Sequence, residues 1–599
     1  MQFKLLMTAA AVAMAFGSVQ AAVQNGTFEG SANGRSGPVT TQVTFQDGKI
    51  VDVKVVKDGE SAMISDVAKE RVPAAIVKNQ STVVDSVTGA SLTSRAIMAG
   101  ATQAVKAAGG EPRDFYKKPV KKEPSNVEKN MKTTVVVVGS GASGMAAAVR
   151  AQLAGNDTIL VEKMPYLGGD TILNAGTLIA TGSRYQREVM KETKDSPELA
   201  YKDIMRVGKN RNDPVLVQLA AEKAGPVVDW LIDDLKIPYG PAATQYPDHS
   251  AERQLGVQGR SPNFIRTMSK IFTDNGGKIL METKATELIY NGGAVRGIKA
   301  VNADGDKITI DAADTILASG GFGANTKMLP NTLKGYLFYG LDSDEGQGYE
   351  MAKKIGAKDI NMDLVKVYPQ GVETVPNHGL AATASSTATI NDTGAIYVNK
   401  LGKRLINERA SLGELTDATV AQPDKIMYIV MDSNGFKRYV DKSIEDKLVP
   451  SEAELLKWLQ INNNGKPVMV KSDSLEAAAK TMGIEPKALA ATVANWNKMA
   501  AAGKDTEFGR KDPKPMNVAP YYIIEQKPRF ATTLGGLKAN AKMQIIGKDG
   551  QPIPGLYGAG CVVGGANGSD SMTAMMNSWA IISGVTAADS VNEALKAAK

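Results

Sequence analysis

The chain has 599 residues, of which 43% are hydrophobic and 22% charged, a composition typical of a soluble globular protein with roughly two to four domains. Its net charge of +7 comes from acids and bases that alternate along the chain, and without a basic block a nucleic-acid-binding protein is not expected. A single cysteine, Cys561, excludes an intrachain disulfide, and two histidines, His249 and His378, are too few for a His- or Cys-based metal site. Any redox chemistry therefore requires an organic cofactor.

The first residues have the pattern of a secretory signal peptide covering 1–21. Lys4 supplies a short positive segment, the apolar run from Leu5 to Val19 is too short to span a bilayer comfortably, and small residues precede a cleavage position after Ala21. No other window is apolar enough for a transmembrane helix. We therefore expect a soluble, exported, periplasmic protein whose mature chain starts at Ala22. An uncleaved membrane anchor is the alternative.

Residues 22–111 have the pattern of a small α+β domain. Alternating apolar and polar residues surround an Asp47-Gly48 turn, which predicts a β-hairpin. A helical run, ISDVAKERVPAAIVKNQ, follows, and then a hydroxyl-rich turn, DSVTGASLTS, which leads into the Ala-rich helix RAIMAGATQAVKAAG. The serines and threonines of that turn suit a helix start, because their oxygens accept hydrogen bonds from free backbone N–H groups. The polar, proline-containing residues 112–131 predict a linker.

A βαβ unit with a glycine-rich turn begins at about residue 132. A buried strand, VVVVG, is followed by Gly139-x-Gly141-x-x-Gly144, an Ala-rich helix and a second strand, TILVEK, which ends near Glu162. In this context the glycines allow close approach of a pyrophosphate, the helix N-terminus attracts its charge, and Glu162 accepts a hydrogen bond from a ribose hydroxyl. The pattern therefore predicts dinucleotide binding.

Further glycine-rich segments favour a long, extended cofactor. They are GGDT and NAG at residues 168–176, a strand that ends in Gly320-Gly321, and the strand PGLYGAGCVVGG at residues 554–565. Ordinary turns between strands and helices are the alternative explanation.

These segments resemble the flavoprotein subunits of the fumarate reductase and succinate dehydrogenase superfamily, in the order in which that family carries them. The resemblance covers about 132–599 and implies an α/β fold: a Rossmann-like FAD-binding domain (132–365 and 526–599) with an inserted α+β cap domain (366–525). It implies non-covalent FAD, held by Gly139, Gly141, Ser143, Gly144, Glu162, Lys163, Gly168, Gly169, Asp170, Thr171, Ala175, Gly176, Gly320, Gly321, Asp344, Gly560, Cys561, Met576 and Asn577.

The hydroxyl-rich turn resembles the modification site of the FMN-binding domain found in exported respiratory flavoproteins. That family's motif, D-x-x-[ST]-G-A-[ST], matches Asp85 to Ser91, and the resemblance implies that a flavin transferase attaches FMN to Ser91 through a phosphodiester. Thr93 is the second candidate. The start of the following helix would favour the phosphate charge, so Ser91 could serve both as a cap and as the attachment site.

The reaction centre departs from the fumarate reductase pattern. Thr387 matches, but Ala388 and Asn391 stand at the family's Glu and Arg positions, and Leu412 stands where the family has its proton-donating Arg. The HHTMGG loop becomes ATTLGG at residues 531–536, and Ser571 replaces the carboxylate-binding Arg. A dicarboxylate would be buried without compensating charge, so we expect an acceptor other than fumarate. The expected substrate contacts are Thr387, Thr532, Thr533 and Ser571, with Met572, Met575 and Met576 as either contacts or core residues.

The resemblance leaves the proton donor open. Arg409 is the preferred candidate, followed by Tyr368 and His378, while Arg404 and Asp392 are further possibilities and Arg404 could instead pair with Glu408.

The favoured hypothesis is an exported respiratory reductase. Electrons would pass from a membrane quinol dehydrogenase or a cytochrome to covalent FMN, then to FAD, and by hydride transfer to an activated C=C bond of a small organic acceptor. The alternatives are a dehydrogenase of the ketosteroid type, for which Tyr166, Tyr246 and Tyr368 are candidate donors, and a flavin electron carrier or binding protein without catalysis. The substrate, the electron-donating partner and the oligomeric state stay open.

Overall fold

A computed structural model describes residues 23–119, 123–242, 246, 248–463 and 465–597. The predicted signal peptide lies outside the described residues. The described chain divides into two compact units: one comprises 23–58, 68–87 and 91–119, and the other comprises the remaining residues. None of the described helices has the length and apolarity that crossing a bilayer requires.

The N-terminal elements confirm the predicted hairpin. They are β1 (Gly26–Asn33), β2 (Pro38–Gln46), β3 (Lys49–Lys57), α1 (Ile64–Asn79), α2 (Ser91–Ala107) and a short 3₁₀ helix (Pro112–Phe115). The three strands form an antiparallel sheet in the order β1-β2-β3. At the turn, Asp47 and Gly48 have φ values of 50° and 74°, the left-handed geometry that favours tight two-residue hairpins.

The second helix begins earlier, and the linker is shorter, than the sequence predicts. α2 starts at Ser91 rather than at Arg95, so the hydroxyl residues belong to its first turn. The predicted linker is structured at both ends, because the 3₁₀ helix covers its first residues and the next strand begins at Glu128. Phe115 packs edge-on against Phe45, with 5.7 Å between ring centroids.

The following elements build a Rossmann-like half and a small antiparallel sheet. They are β4 (Glu128–Val138), α3 (Ala142–Leu153), β5 (Thr158–Val161), β6 (Thr177–Ile179), α4 (Arg184–Glu188), α5 (Pro197–Val207), α6 (Pro214–Asp229), β7 (Tyr239–Pro241), β8 (Gln254–Val257), α7 (Arg260–Asp274), β9 (Lys278–Leu280), β10 (Thr283–Asn291), β11 (Ala294–Asn302) and β12 (Lys307–Leu317). A 3₁₀ helix covers Gly169–Leu173 and a π-helical turn covers Trp230–Asp234.

The central segment contains the last elements of the first FAD-binding part, within residues 337–360, and then the elements of the predicted cap. They are β13 (Leu337–Phe338), α8 (Gln347–Lys354), β14 (Asp359–Ile360), β15 (Val365–Val375), β16 (His378–Ala381), α9 (Thr383–Asp392), β17 (Ile396–Val398), α10 (Leu412–Val420), β18 (Met427–Met431), α11 (Ser433–Glu445), α12 (Glu452–Leu456), β19 (Asn462–Asn463), β20 (Lys466–Pro467), β21 (Met469–Ser472), α13 (Leu475–Met482) and α14 (Pro486–Ala501). Two further 3₁₀ turns cover Asn331–Leu333 and Lys457–Gln460.

The C-terminal segment returns to the Rossmann-like sheet. Its elements are β22 (Tyr521–Thr533), β23 (Gly536–Leu537), β24 (Gln544–Ile546), β25 (Pro552–Gly558), a 3₁₀ turn (Gly560–Val562) and α15 (Met575–Ala597). The large sheet has the order β10-β11-β12-β4-β5-β9, and β25 pairs in parallel with the end of β12. β4, β5, β9, β12 and β25 therefore form the parallel core that the βαβ pattern predicts.

A second sheet forms the core of the cap. Its order is β13-β16-β15-β22-β18-β17, with β21 also paired to β22. Alternate residues of β18 face opposite layers: Met427, Ile429 and Met431 pack with α9 to α12, and Tyr428 and Val430 pack with α13 and α14. β22 continues through the boundary predicted at 525/526, so the cap and the FAD-binding part share one long strand.

A buried ion network stabilises the cap. The Arg404 guanidinium donates to Glu408 Oε1 at 2.8 Å and to Asp505 Oδ2 at 2.9 Å, and it lies 4.6 Å from the Trp496 ring centroid. All three charged side chains have 0% exposure. These carboxylates hold the pKa of Arg404 above its ordinary value despite burial. Arg404 is thus a structural residue rather than an available proton donor.

We expect Arg404→Met to lower the free energy of unfolding of the holoprotein by about 3–5 kcal/mol, because two buried carboxylates lose their counter-charge. Urea unfolding followed by tryptophan fluorescence measures the change. The matched control is Lys437→Met, which removes an exposed pair with Asp441 and should cost no more than about 0.5 kcal/mol. A loss for Arg404→Met as small as for the control would contradict the structural role.

Candidate active site

A cleft of about 890 Å³ lies at the carboxyl ends of the parallel strands of the large unit. The glycine-rich turn after β4, the end of β5, the 3₁₀ segment at 169–173 and the loop after β12 contribute its walls. The predicted residues that line it are Gly139, Gly141, Ser143, Glu162, Lys163, Gly169, Asp170, Thr171, Gly320, Gly321, Asp344, Gly560 and Cys561. Strand ends of this kind are where open α/β sheets bind nucleotides.

The glycines allow close packing around the cleft, because a side chain at these positions would collide with neighbouring atoms. A Cβ at Gly144 would lie 1.8 Å from the Gly139 carbonyl oxygen, and one at Gly321 would lie 2.2 Å from Thr533 Oγ1. Gly139 also has a φ of 105°, which L-residues rarely adopt. Gly141 is the N-cap of α3 and supplies no side-chain cap, while Ala142 N donates to Thr171 Oγ1 at 3.0 Å. This helix start lines the cleft, where its dipole favours an anion.

Glu162 is fixed at the end of β5 by three hydrogen bonds. Its Oε2 accepts from Ser140 N at 2.9 Å and from Ser140 Oγ at 2.5 Å, and its Oε1 accepts from Met164 N at 2.8 Å. Burial raises the pKa of Glu162 above its ordinary value, and these hydrogen bonds oppose the shift. Oε1 keeps a lone pair for a ribose hydroxyl, which fits the predicted role.

A carboxyl pair lies at the other side of the cleft. Burial, and then the neighbouring Asp170, hold the pKa of Asp344 well above its usual range. Asp170 Oδ1 accepts from Leu341 N at 3.0 Å, and burial with these two acids raises the pKa of Cys561 to about 12. Cys561 is therefore a neutral thiol. Lys163 reaches across the cleft to Gln347 Oε1 at 2.7 Å.

The remaining predicted cofactor residues lie outside the lining of this cleft. Gly144 supports the turn beneath it, and Gly168 N donates to Ser140 Oγ at 2.9 Å. Ala175 and Gly176 follow Asn174, whose Oδ1 accepts from Gly176 N at 2.7 Å. Met576 and Asn577 belong to the first turn of α15, where Asn577 Nδ2 donates to Thr177 O at 3.2 Å.

The two candidate FMN attachment residues differ in exposure. Ser91, the first residue of α2, is half-buried, whereas Thr93 is 4% exposed. Because a transferase needs an accessible hydroxyl, this difference favours Ser91. The preceding Gly89 has a φ of 78°, which allows the tight turn before the helix.

A second cleft in the large unit, with an empty volume of about 1150 Å³, gathers residues from the cap and from the FAD-binding part. Its lining includes Arg409 and Leu412 from the cap segment and Ser571 from the segment before α15. The resemblance places Leu412 and Ser571 in the reaction centre, although they are far apart in the sequence, and Arg409 is the preferred proton-donor candidate. The segment from Asp570 to Asn577 links this cleft to Thr177, next to the predicted flavin residues at 169–176.

The charges of this second cleft balance. Its lining carries four basic side chains, Arg206, Lys209, Lys366 and Arg409, and four acidic ones, Asp248, Glu414, Asp417 and Asp570. Most are paired: Lys366 Nζ contacts Asp570 and donates to Ser571 O at 3.1 Å, and Lys209 Nζ lies 2.7 Å from Asp417 Oδ2. The cleft therefore offers no surplus of positive charge for a dianion.

The three candidate proton donors have different positions relative to the second cleft. Arg409 lines the second cleft, its Nη2 donates to Asn391 O at 2.7 Å, and its buried Nε–H has no acceptor among the described residues. Tyr368 lies beside the cleft, with its ring centroid 4.9 Å from Lys366 Nζ. Burial raises the pKa of Tyr368 to about 12. His378 is exposed on β16 and lines neither cleft.

The predicted substrate residues are dispersed. Ser571 is 2% exposed, and its Oγ donates to Asn567 Oδ1 at 2.6 Å. Thr533 packs under Gly321, and its buried Oγ1 has no hydrogen-bond partner among the described residues. Thr532 and Thr387 are half-buried and line neither cleft, and Thr387 lies in the middle of α9.

Sequence reasoning missed several residues of both clefts. Lys366 is 5% exposed, in a strand of mostly apolar neighbours, and a lysine in such a strand is the signal that could have identified it. Its partner Asp570 lies 204 positions away. In the first cleft, Ser319 Oγ is buried without a partner among the described residues, an available group for a bound cofactor.

Comparison with known proteins agrees with this geometry. Residues 134–574 match the family model described as FAD binding domain, and residues 34–106 match the model described as FMN-binding domain. The chain is 31% identical to urocanate reductase of Eggerthella lenta over 91% of this chain and 88% of that protein. It is 31% identical to a fumarate reductase (cytochrome) of Shewanella frigidimarina over 73% of each chain.

A solved structure shows the same architecture. The open conformation of a flavocytochrome c3 fumarate reductase is similar with a TM-score of 0.63 and 28% identity, covering 78% of this chain and 79% of that one. The glycine-rich turn after β4, the fixed Glu162 and the orphan Ser319 hydroxyl fit FAD. The chain belongs to the fumarate and urocanate reductase-like family of FAD-dependent oxidoreductases acting on CH–CH bonds, and it carries an FMN-binding domain before its FAD-binding domain.

Proposed function

We propose that this protein is an exported respiratory reductase that transfers electrons from covalent FMN to FAD and then to an activated C=C bond of an acceptor other than fumarate. The observation that carries the proposal is the second cleft, which joins Arg409, Leu412 and Ser571 with balanced charge. Bound FAD supplies the hydride for the alkene. The chain's own residues bind and orient the acceptor and deliver the proton.

The exclusion of fumarate rests on the side chains present in the cleft. Leu412 and Ser571 cannot form the charge-assisted hydrogen bonds that arginines would give to two carboxylates. Lys366 and Lys209 pair with acids of the same cleft, Arg206 pairs with Asp203, and Arg409 donates to Asn391 O. A dianion would therefore lose hydration without gaining two free basic side chains. The export of the protein, its membrane quinol dehydrogenase or cytochrome donor, and its flavin transferase belong to the same proposal.

One experiment tests this function. The purified holoprotein is reduced anaerobically, and its reoxidation is followed in the flavin absorbance against a panel of enoates, enones and fumarate. Rapid reoxidation by a non-fumarate alkene supports the proposal, and rapid reoxidation by fumarate would refute the substrate assignment. Reduction of the oxidised protein by a saturated ketosteroid would instead favour the dehydrogenase alternative, for which Tyr246 lines the cleft. If no compound reoxidises the reduced protein or reduces the oxidised protein, the remaining alternative is a flavin electron carrier without catalysis.

We expect Arg409→Ala to lower kcat for the alkene acceptor by about 10²–10⁴-fold, because the cleft loses its proposed proton donor. KM should change less, since the guanidinium is held mainly by Asn391 O. Stopped-flow reoxidation separates the two constants.

The matched control for this prediction is Arg438→Ala. Arg438 pairs with Asp392, next to the same backbone segment, but does not line the cleft. Its removal should leave kcat within about twofold of the wild type. Full activity of Arg409→Ala would transfer the donor role to Tyr368, whereas exposed His378 should be replaceable without loss.

A further inference from the structure

The buried side chain of Arg529 in β22 lacks an anionic partner. Arg529 is 3% exposed, yet its hydrogen-bond partners are neutral: its Nε donates to the Gln370 carbonyl oxygen at 3.3 Å, its Nη2 donates to Thr383 Oγ1 at 2.7 Å, and the guanidinium also hydrogen-bonds Tyr339. Its Nη1 has no hydrogen-bond partner, and no acid of the described residues forms an ion pair with it. Burial of an unpaired charge is strongly unfavourable, so the site is built for a counter-charge from outside the chain.

Two tyrosines orient this guanidinium next to the second cleft. Arg529 Cζ lies 4.1 Å from the ring centroid of Tyr339 and 4.7 Å from that of Tyr368. Ring faces stabilise a cation but leave its N–H edge free to bind an anion. Lys366, which lines the cleft, contacts the same Tyr368 ring with its Nζ 4.9 Å from the centroid. Lys366 is neutralised by Asp570, whereas Arg529 is not.

The N-terminus of α9 adds a second set of anion-binding groups. Its N-cap, Ala382, provides no side-chain hydrogen bond to the free N–H groups of the first turn. Thr383 is the first residue of this ten-residue helix and accepts the hydrogen bond from Arg529 Nη2. The helix dipole and the buried guanidinium therefore favour negative charge at the same place.

We propose that Arg529 and the N-terminus of α9 bind the carboxylate of the alkene acceptor, and that the substrate is a monocarboxylate. This inference rests on the proposed function. Because the cleft lining carries as many acidic as basic side chains, Arg529 adds one net positive charge beside it, which matches one carboxylate and disfavours both a dicarboxylate and a neutral enone.

The test measures binding of propanoate and of its neutral analogue propanamide to the oxidised holoprotein by isothermal titration calorimetry. The wild type should bind propanoate at least about tenfold more tightly than propanamide. Arg529→Gln should weaken propanoate binding by about 10- to 100-fold, as expected for loss of hydrogen bonds to a charged group, and leave propanamide unchanged. Arg529→Lys should bind propanoate with an affinity between those of the wild type and Arg529→Gln, because lysine keeps the charge but lacks the paired N–H donors of the guanidinium.

A second variant avoids any folding defect at Arg529. Ala384 is exposed in the first turn of α9, so Ala384→Asp should stabilise the helix while repelling a carboxylate. It should weaken propanoate binding by about tenfold or more, and the neutral control Ala384→Asn should not. Arg296→Gln removes an exposed arginine of β11 and controls for net charge.

The outcomes separate the inference from the proposed function. Propanoate binding that is unchanged in both Arg529→Gln and Ala384→Asp would overturn the inference. So would a loss of propanoate binding in Arg529→Gln with no rise in the KM for the enoate that reoxidises the wild-type protein, because the anion site would then lie outside the substrate site. If the protein reduces no alkene but still binds propanoate through Arg529, the proposed function would be refuted and the anion site would still be supported.

Discussion

Replacing Gly144 with alanine should abolish FAD retention while covalently bound FMN stays on the chain. The added Cβ would lie 1.8 Å from the Gly139 carbonyl oxygen and 3.3 Å from Ala318 Cβ. The Gly139 carbonyl is a backbone group and cannot rotate away as the end of a flexible side chain can. The turn after β4 must therefore move away from α3. The start of α3, which lines the cleft, then loses its alignment with the pyrophosphate.

The measurement is the molar ratio of FAD released on heat denaturation to protein, which should fall from near one to near zero. Gly256→Ala is the matched control, because Gly256 lies in a strand of the same unit and an added Cβ meets no atom within 4 Å. It should keep a full complement of FAD. Stoichiometric FAD in Gly144→Ala would show that the cofactor does not depend on this turn.

Replacing Ser91 with alanine should remove covalent FMN completely. Wild-type protein co-produced with a flavin transferase should keep a yellow polypeptide after denaturation, with an intact mass that exceeds the mature chain by one FMN minus water. The variant should lack that mass and should no longer accept electrons from an external donor, although dithionite should still reduce its FAD. The physical reason is that a phosphodiester requires an accessible hydroxyl, and Ser91 is the more exposed candidate.

Thr93→Ala is the control for this experiment. Thr93 is buried in the first turn of α2, so its loss should leave a small cavity but keep the FMN. Retention of the extra mass in Ser91→Ala, together with its loss in Thr93→Ala, would move the attachment to Thr93. Absence of the extra mass from wild-type protein would refute covalent attachment.

Local signals in the sequence predicted much of the fold. The Asp47-Gly48 hairpin and the strands around Gly139, Gly320 and residue 557 all appear where their patterns indicate. Such elements depend on neighbouring residues: a turn needs positive φ, and a buried strand needs a continuous apolar run. The start of α2 was predicted too late, because its first turn consists of hydroxyl residues that also suit a turn.

The cofactor framework could be predicted from residues that are close together along the chain. Gly139, Gly144 and Glu162 belong to one βαβ unit, so their spacing was enough to predict pyrophosphate and ribose contacts there.

The charges around the second cleft could not be predicted without the fold. The pairing of β15 with β22 sets Arg529 opposite Tyr368, and the cleft joins Lys366 to Asp570 across 204 residues. Whether a charged side chain is neutralised or left available depends on such long-range contacts. For this reason Arg404 is a buried structural ion, Lys366 is paired with Asp570, and Arg529 is a buried cation without an acidic partner among the described residues.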